Sequence, residues 1–316
     1  MRGRTKPGLC LILLMIVLRA GSAAALPPST IGMAAGSFTA LFAWTVPMMM
    51  RGQPGFTLLG SEVGSDFKYL GNNLVWDGED IGTAPLHIAD PNSPFRSEDF
   101  YLAFAGLGAV WGGSFSLDQT MRSHLQNMSG MDAGLLEHTS YGLLSVSTAG
   151  LYGYGLYSGD TRARDMAITA GEGAGLSSLL NSLIIKTAFG RLRPSQTGSH
   201  TAFFRGGRSF VSGDVTPMFA LAAGLSEYFN NAWYASVPIY AVALTDGFGR
   251  MGYNAHWFSD VIGAAMLGSL TTELLVHLQA QHALESGRWQ LIASSPPATP
   301  LDPYPMGMGM GLAYNW

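Results

Sequence analysis

The sequence predicts an all-α protein, a helical bundle of six or seven helices over residues 96–284. Three observations predict it. Apolar segments of helical length follow one another with only short polar or glycine-containing breaks between them. Small residues punctuate these segments, at Gly150, Gly153 and Gly155, at Gly171, Gly173 and Gly175, and at Gly263 and Gly268, as close helix packing requires. Hydrophobic residues make up 47% of the 316-residue chain and charged ones only 12%, which supplies a sizeable core and leaves fewer charges than a soluble domain normally carries.

Ahead of the bundle, residues 1–25 read as a signal peptide. Arg2, Arg4 and Lys6 form a charged head, Leu9 to Leu18 an apolar run too short to span comfortably, and Gly21 to Ala25 a small-residue cleavage stretch. Cys10, the single cysteine, lies within the apolar run, so the mature chain has no thiol for a disulfide, a cysteine nucleophile or a zinc site. Residues 26–95 form an N-terminal segment of undecided structure. Within it Ile31 to Met50 is uncharged but broken by glycines and Pro47, compatible with a helix or an extended run, and Asp77 to Pro94 reads as a loop.

The bundle opens at Ser97, a cap followed by Glu98 and Asp99 at the positive end of a helix running through Tyr101 to Val110. Further helices are expected over Leu117 to Gln126, Leu135 to Tyr157, Thr161 to Phe189, Asp214 to Phe229, Trp233 to Thr245 and Ala255 to Leu278. The glycines are not a dinucleotide-binding loop, since no strand precedes them and the spacing is wrong. Tyr141 to Ser158 lacks charge over about the length of a membrane span, yet Glu172 and Glu227 interrupt neighbouring helices and the turn at Asn230 and Asn231 carries no Lys or Arg. The balance favours an exported globular or membrane-associated bundle. Residues 285–316 read as a linker, marked by Pro296, Pro297, Pro300, Pro303 and Pro305, and a loose tail whose last residues alternate somewhat like a strand.

A net charge of -4 removes any general case for nucleic-acid binding. The chemistry gathers instead in three stretches, KTAFGRLRP (186–194), SFVSGD (209–214) and RMGYNAHWFSD (250–260). Lys186 and Arg193 could each donate to phosphate oxygens, or simply complement the dipole of a helix C-terminus. Arg191 and Arg205 read as loop or rim residues. Ser212, Gly213 and Asp214 precede an apolar helix with Pro217 in its first turn. There a Ser or Asp cap accounts for the residue types, and free amides with room beside Gly213 would also cradle an anion. His256 and Asp260 are four apart, so a helix would set them on one face, the carboxylate accepting from one ring nitrogen and leaving the other free as a nucleophile. The remaining histidines, His87, His124, His138, His200, His277 and His282, show no metal-ligand spacing. Neither metal nor cofactor is expected.

In this order the three stretches resemble the signature of the type 2 phosphatidic acid phosphatase superfamily, which includes bacterial non-specific acid phosphatases and vanadium haloperoxidases. The signature reads K-x6-R-P, P-S-G-H, S-R-x5-H-x3-D. Lys186, Arg193 and Pro194 fit its first part, Ser212 and Gly213 its second, and Arg250, His256 and Asp260 its third. Val211, Asp214 and Gly249 depart from it, replacing the motif proline, the second histidine and the serine before the arginine. The resemblance implies the helical fold of those enzymes and a metal-independent phosphatase. Lys186, Arg193, Ser212, Gly213 and Arg250 would bind phosphate, His256 would become a phosphohistidine and Asp260 would orient it. The implied substrates are phosphorylated lipids of the cell envelope or small phosphate esters, handled in a bacterial periplasm or envelope. Asp214 stands where the family keeps the residue that protonates the leaving oxygen. It acts as an acid at low pH, or serves a substrate such as a diphosphate that needs none, or marks a site that binds without turnover. A vanadate-dependent haloperoxidase is the other enzyme class implied, with vanadate in the anion site.

Overall fold

The structure, a computed structural model, describes residues 62–73, 77, 98–127, 129–285, 289–293 and 310–314. The expected signal peptide, the run Ile31 to Met50, the loop beyond Asp77, the cap at Ser97 and the proline linker lie outside the described residues. The chain divides into two units, Met1–Ser65 and Asp66–Trp316. Of the first, only residues 62–65 are described, opening helix α1 (62–73).

The second unit is the predicted bundle. Seven helices follow one another from Glu98: α2 (Glu98–Ser114), α3 (Asp118–Leu125), α4 (Gly130–Ser158), α5 (Thr161–Leu180), α6 (Val215–Tyr228), α7 (Trp233–Gly252) and α8 (Phe258–Glu285). A five-residue π-helical turn, Asn181–Ile185, and one last α-helical turn, Lys186–Phe189, prolong α5 to the end expected for it. Local chemistry sets the ends. The Ser129 hydroxyl accepts from the Asp132 amide at 3.1 Å to start α4, and the Asp160 carboxylate accepts from the Ala163 amide at 3.1 Å to start α5. Gly159 and Gly190, with φ of 77° and 49°, stop them in the left-handed conformation that glycine adopts freely.

Helix α6 is the axis of the unit. Every residue from Val215 to Ser226 except Pro217 is buried, against α5, α7 and α8. Gly268 lets α8 lie on α6, where a Cβ would come within 2.9 Å of the Ala220 amide nitrogen. The packing reading holds for Gly155, Gly173, Gly263 and Gly268 but not for Gly150, Gly153, Gly171 and Gly175, where a Cβ would meet nothing within 4 Å among the described residues.

Several helix boundaries differ from expectation, among them the start of α4 at Gly130 and the end of α8 at Glu285, and two of the differences matter for the site. Helix α7 continues two turns past Thr245 through Asp246 and Gly247, a pair that reads as a breaker in sequence. Here Gly247 is needed for packing, since a Cβ would come within 2.5 Å of Val261 Cγ1. Helix α8 begins at Phe258 rather than Ala255, which leaves His256 ahead of it. The tail also departs from a loose reading. Strand β1 (Trp289–Ala293) pairs antiparallel with β2 (Met310–Tyr314), Trp289 opposite Tyr314 and Ala293 opposite Met310. Among the described helices, α8 alone contains a stretch, Phe258–Ala280, long and apolar enough to cross a membrane.

Candidate active site

The three stretches meet around the start of α6. Lys186 reaches them from the end of the α5 extension, and its ammonium donates to the carbonyls of Val211 at 2.8 Å and Arg208 at 3.0 Å. The π-helical turn just before it places Asn181 below the same loop, its amide donating to the Val211 and Ser212 carbonyls at 3.3 and 3.4 Å. Burial lowers the Lys186 pKa to about 8; Arg193 and Arg208 push it the same way, against Asp214 and Asp260. Arg193 and Arg208 are thus both near enough to Lys186 for their charge to act on it. Arg193 keeps its guanidinium out of every described hydrogen bond while its amide donates to Gln196 Oε1 at 2.9 Å.

The Ser212–Gly213–Asp214 turn is only partly what was expected. The Ser212 amide is already committed, donating to the Asp260 carbonyl at 3.2 Å, so it is not a free cradle donor. Its hydroxyl, fully buried, has no partner among the described residues. Gly213 lies against the Lys186 side chain: an added Cβ would be in ordinary van der Waals contact, 3.5 Å from Lys186 Cε and 3.7 Å from Nζ. Asp214 occupies the N-cap position of α6 without capping it. Its carboxylate turns to Arg250 at 2.9 Å instead, a charge-assisted contact that outweighs a cap to neutral amides.

Arg250, carried on the last turn of α7, is shared. Besides Asp214 it donates to Glu137 Oε1 at 3.2 Å, and its buried Nε has no partner among the described residues. Tyr141 donates weakly to the Asp214 carboxylate at 3.5 Å, and burial raises its pKa, as do Asp214, Asp246 and Glu137. Glu137 and Tyr141 carry no motif and lie some hundred residues upstream, so no local pattern could have found them.

His256 is 3% exposed and set by a backbone group. Its Nδ1 donates to the Ser209 carbonyl at 2.8 Å, whereas Asp260 Oδ2 stands 3.7 Å away, beyond hydrogen-bond reach. The expected pairing on one helix face is therefore corrected: His256 precedes α8 and Asp260 is in its first turn, accepting from the Trp257 amide at 2.9 Å. Burial lowers the His256 pKa; Asp260 opposes this, and Lys186 and Arg250 add to it. Because a carbonyl can only accept, Nδ1 carries a proton, the lowered pKa favours the neutral ring, and Nε2 has no hydrogen-bond partner among the described residues.

Asp260 is fully buried and built into a polar knot. The Ser209 hydroxyl donates to Oδ2 at 2.5 Å and Arg191 to Oδ1 at 2.5 Å. Burial alone would raise its pKa, but the His256 ring, Arg191 and the Ser209 hydroxyl hold it below the ordinary aspartate value. Arg191 is no rim residue. Fully buried, it also pairs with Asp118 at 2.6 Å, donates to the Ser259 hydroxyl at 2.7 Å and the His200 carbonyl, and lies 4.8–5.4 Å from the ring centres of Phe115, Phe203 and Trp257. The His200 ring belongs to this group, 3.7 Å from Asp118, and not to the Arg250 group. Among the described residues, no three His, Cys, Asp or Glu are placed to hold a metal ion.

Residues 167–283, which contain all three stretches, match the PAP2 superfamily model. These residues are a PAP2 superfamily domain. This domain begins within α5 and ends within α8, so it spans the helices that carry Lys186, Arg250 and Asp260. A lipid A 1-phosphatase of Porphyromonas gingivalis is 38% identical over 90 residues, 28% of this chain and 18% of that protein. The chain thus spans under a fifth of that curated relative's length. No solved structure matches.

Proposed function

We propose that the chain is an exported, metal-independent phosphatase that hydrolyses phosphate esters or diphosphates of envelope lipids through a phosphohistidine at His256. The observation that carries this reading is the His256 ring itself. It is buried and neutral, tied at Nδ1 to the Ser209 carbonyl at 2.8 Å, with Nε2 left as a nucleophile. The PAP2 domain and the lipid A 1-phosphatase relative support a phosphoric-ester hydrolase acting on a phosphorylated lipid.

In this scheme Lys186, Arg193 and Arg250 neutralise the phosphoryl oxygens, and the Ser212 hydroxyl and the Gly213 amide donate to them. Nε2 forms a bond to phosphorus as the bond to the leaving oxygen breaks, and that oxygen takes the electron pair and then a proton from solvent water, which a diphosphate leaving group does not need. Water then attacks phosphorus, the N–P bond breaks, and inorganic phosphate leaves with the imidazole restored. Asp260 acts through Arg191, Ser209 and the Trp257 amide to fix the loop that orients the ring, rather than by holding Nδ1. A lipid substrate agrees with the surface before Lys186, where Leu183 is 70% and Ile184 59% exposed on successive positions.

The Asp214–Arg250 pair favours one second reading, an anion-binding relative without turnover. A carboxylate that accepts from arginine has no proton to give a leaving oxygen. Purified protein assayed with a phosphatidic acid, an isoprenyl diphosphate and an aryl phosphate separates the two. Phosphate release that His256→Ala lowers by about a thousandfold or more supports the enzyme. Retained phosphate binding with no release from any substrate supports the binder. Release unaffected by His256→Ala overturns the mechanism.

A further inference from the structure

Asp246 is a buried acid that this scheme leaves without a task. It lies on α7 one turn before Arg250, is 0% exposed, and neither of its carboxyl oxygens has a hydrogen-bond partner among the described residues. A carboxylate there would bear its desolvation penalty with no hydrogen bond from the described residues to offset it, and the neutral acid bears far less. The groups that face it are Glu137 and Tyr141 from α4, Asp214 from the start of α6, and Arg250 from its own helix.

The charge of that group decides what Arg250 can do. Asp214 at 2.9 Å and Glu137 at 3.2 Å already give one guanidinium two carboxylates. One guanidinium against two carboxylates is already net negative, and a third anion would deepen that field against an incoming phosphate. Burial pushes the Asp246 pKa up to about 8, Asp214 and Glu137 add to the rise, and Arg250 opposes it.

We propose that Asp246 is a positioning residue kept uncharged so that Arg250 can engage a phosphate dianion, and that its ionisation closes the site by adding another anion to the Arg250 cluster. The proposal rests on the phosphatase reading for the place of the phosphate, but not for turnover. Lys186 loses its own charge over the same range, so the intact protein loses two favourable protonation states together.

The test is binding of inorganic phosphate by titration calorimetry from about pH 6 to about pH 10, with phosphate release measured alongside, for the parent and Asp246→Asn. Difference infrared spectra follow the carbonyl band of a protonated carboxylic acid. The parent is expected to lose affinity above about pH 8 with a two-proton dependence, and Asp246→Asn with a one-proton dependence, binding on the order of tenfold tighter at the alkaline end. Glu172 gives a carboxylic acid band of its own in both proteins, so the expected result is completed by a further band in the parent-minus-Asp246→Asn difference at neutral pH that fades as pH rises. Asp246→Ser, equally uncharged and smaller, serves if the Asn protein does not fold. An unchanged pH dependence in the variant, or no such band in the difference, overturns the proposal. Absence of phosphate release from the parent, with the binding shift intact, rejects the phosphatase reading and leaves the role of Asp246 standing.

Discussion

Asp214 Oδ2 lies 2.9 Å from the Arg250 guanidinium, so the residue that departs furthest from the phosphatase signature is the ion-pair partner of one that keeps it. Substrate phosphate and Asp214 compete for the same cation. The departure changes the cluster's charge as well as its supply of protons.

Removing that competition is the first prediction. Asp214→Asn is expected to tighten inorganic phosphate binding about tenfold, because an amide does not hold the guanidinium as a carboxylate does. Asp214→His is expected to do the same and to raise kcat at neutral pH, since an imidazolium can also protonate a leaving oxygen. Calorimetry and steady-state assays read the two effects separately. Unchanged affinity in both variants would show that Arg250 does not meet the phosphate.

Lys186 sets a second limit. Its ammonium is charged below about pH 8 and neutral above it, so binding that depends on that charge is present at neutral pH and falls as pH rises through about 8. Lys186→Arg keeps a cation at every pH. A pH profile of kcat/KM should show a lower plateau, since the fork does not replace a point charge, with an alkaline fall one proton less steep than the parent's.

The knot around Arg191 predicts a stability effect. Arg191→Ala leaves Asp118 and Asp260 buried and uncompensated, at a cost of about 3–5 kcal/mol. Urea denaturation measures it directly. A loss below about 1 kcal/mol would mean that water replaces the guanidinium without strain.

Glu172 predicts how stability varies with pH. It is buried between α5 and α8, bonded to Gln279 at 2.9 Å, and burial raises its pKa to about 8, helped by Asp77 and opposed by the Gln279 amide. A carboxyl raised on folding contributes stability that is complete below its unfolded pKa near 4.5 and is lost as pH climbs through about 8. Glu172→Gln should flatten that decline and stabilise the protein at the alkaline end by a few kcal/mol, on the order of 2. Thermal melts of both proteins across the range give the comparison, and parallel curves would count against it.

The helices were legible because their signals are local. The end of the α5 extension at Phe189 and the start of α7 at Trp233 follow from apolar runs closed by Gly190 and opened after the Asn230–Asn231 turn. The cations and His256 were legible through spacing. What stayed hidden depends on contacts between distant segments. Glu137, Tyr141 and Asn181 join the site from elements with no motif. The commitment of the Ser212 amide to the Asp260 carbonyl, and the choice of Ser209 over Asp260 as partner of His256, are decided by loop geometry. Arg191 reads as one more loop cation two residues before Arg193, and only the walls of Phe115, Phe203 and Trp257 reveal its burial.

Arg191 also bears on how this protein comes apart. One guanidinium draws together α3 through Asp118, the loop through the His200 carbonyl, and the first turn of α8 through Ser259 and Asp260. Until all three have arrived, a cation without partners cannot leave water, so no stable intermediate holds only two of them. Opening any one of the three should release the others, exposing the amides of Ser259 and Trp257 to hydrogen exchange together with that of Ser212. The loop that aims His256 is therefore a single cooperative unit with the centre of the bundle, and activity should vanish at the same denaturant concentration as the fold rather than before it.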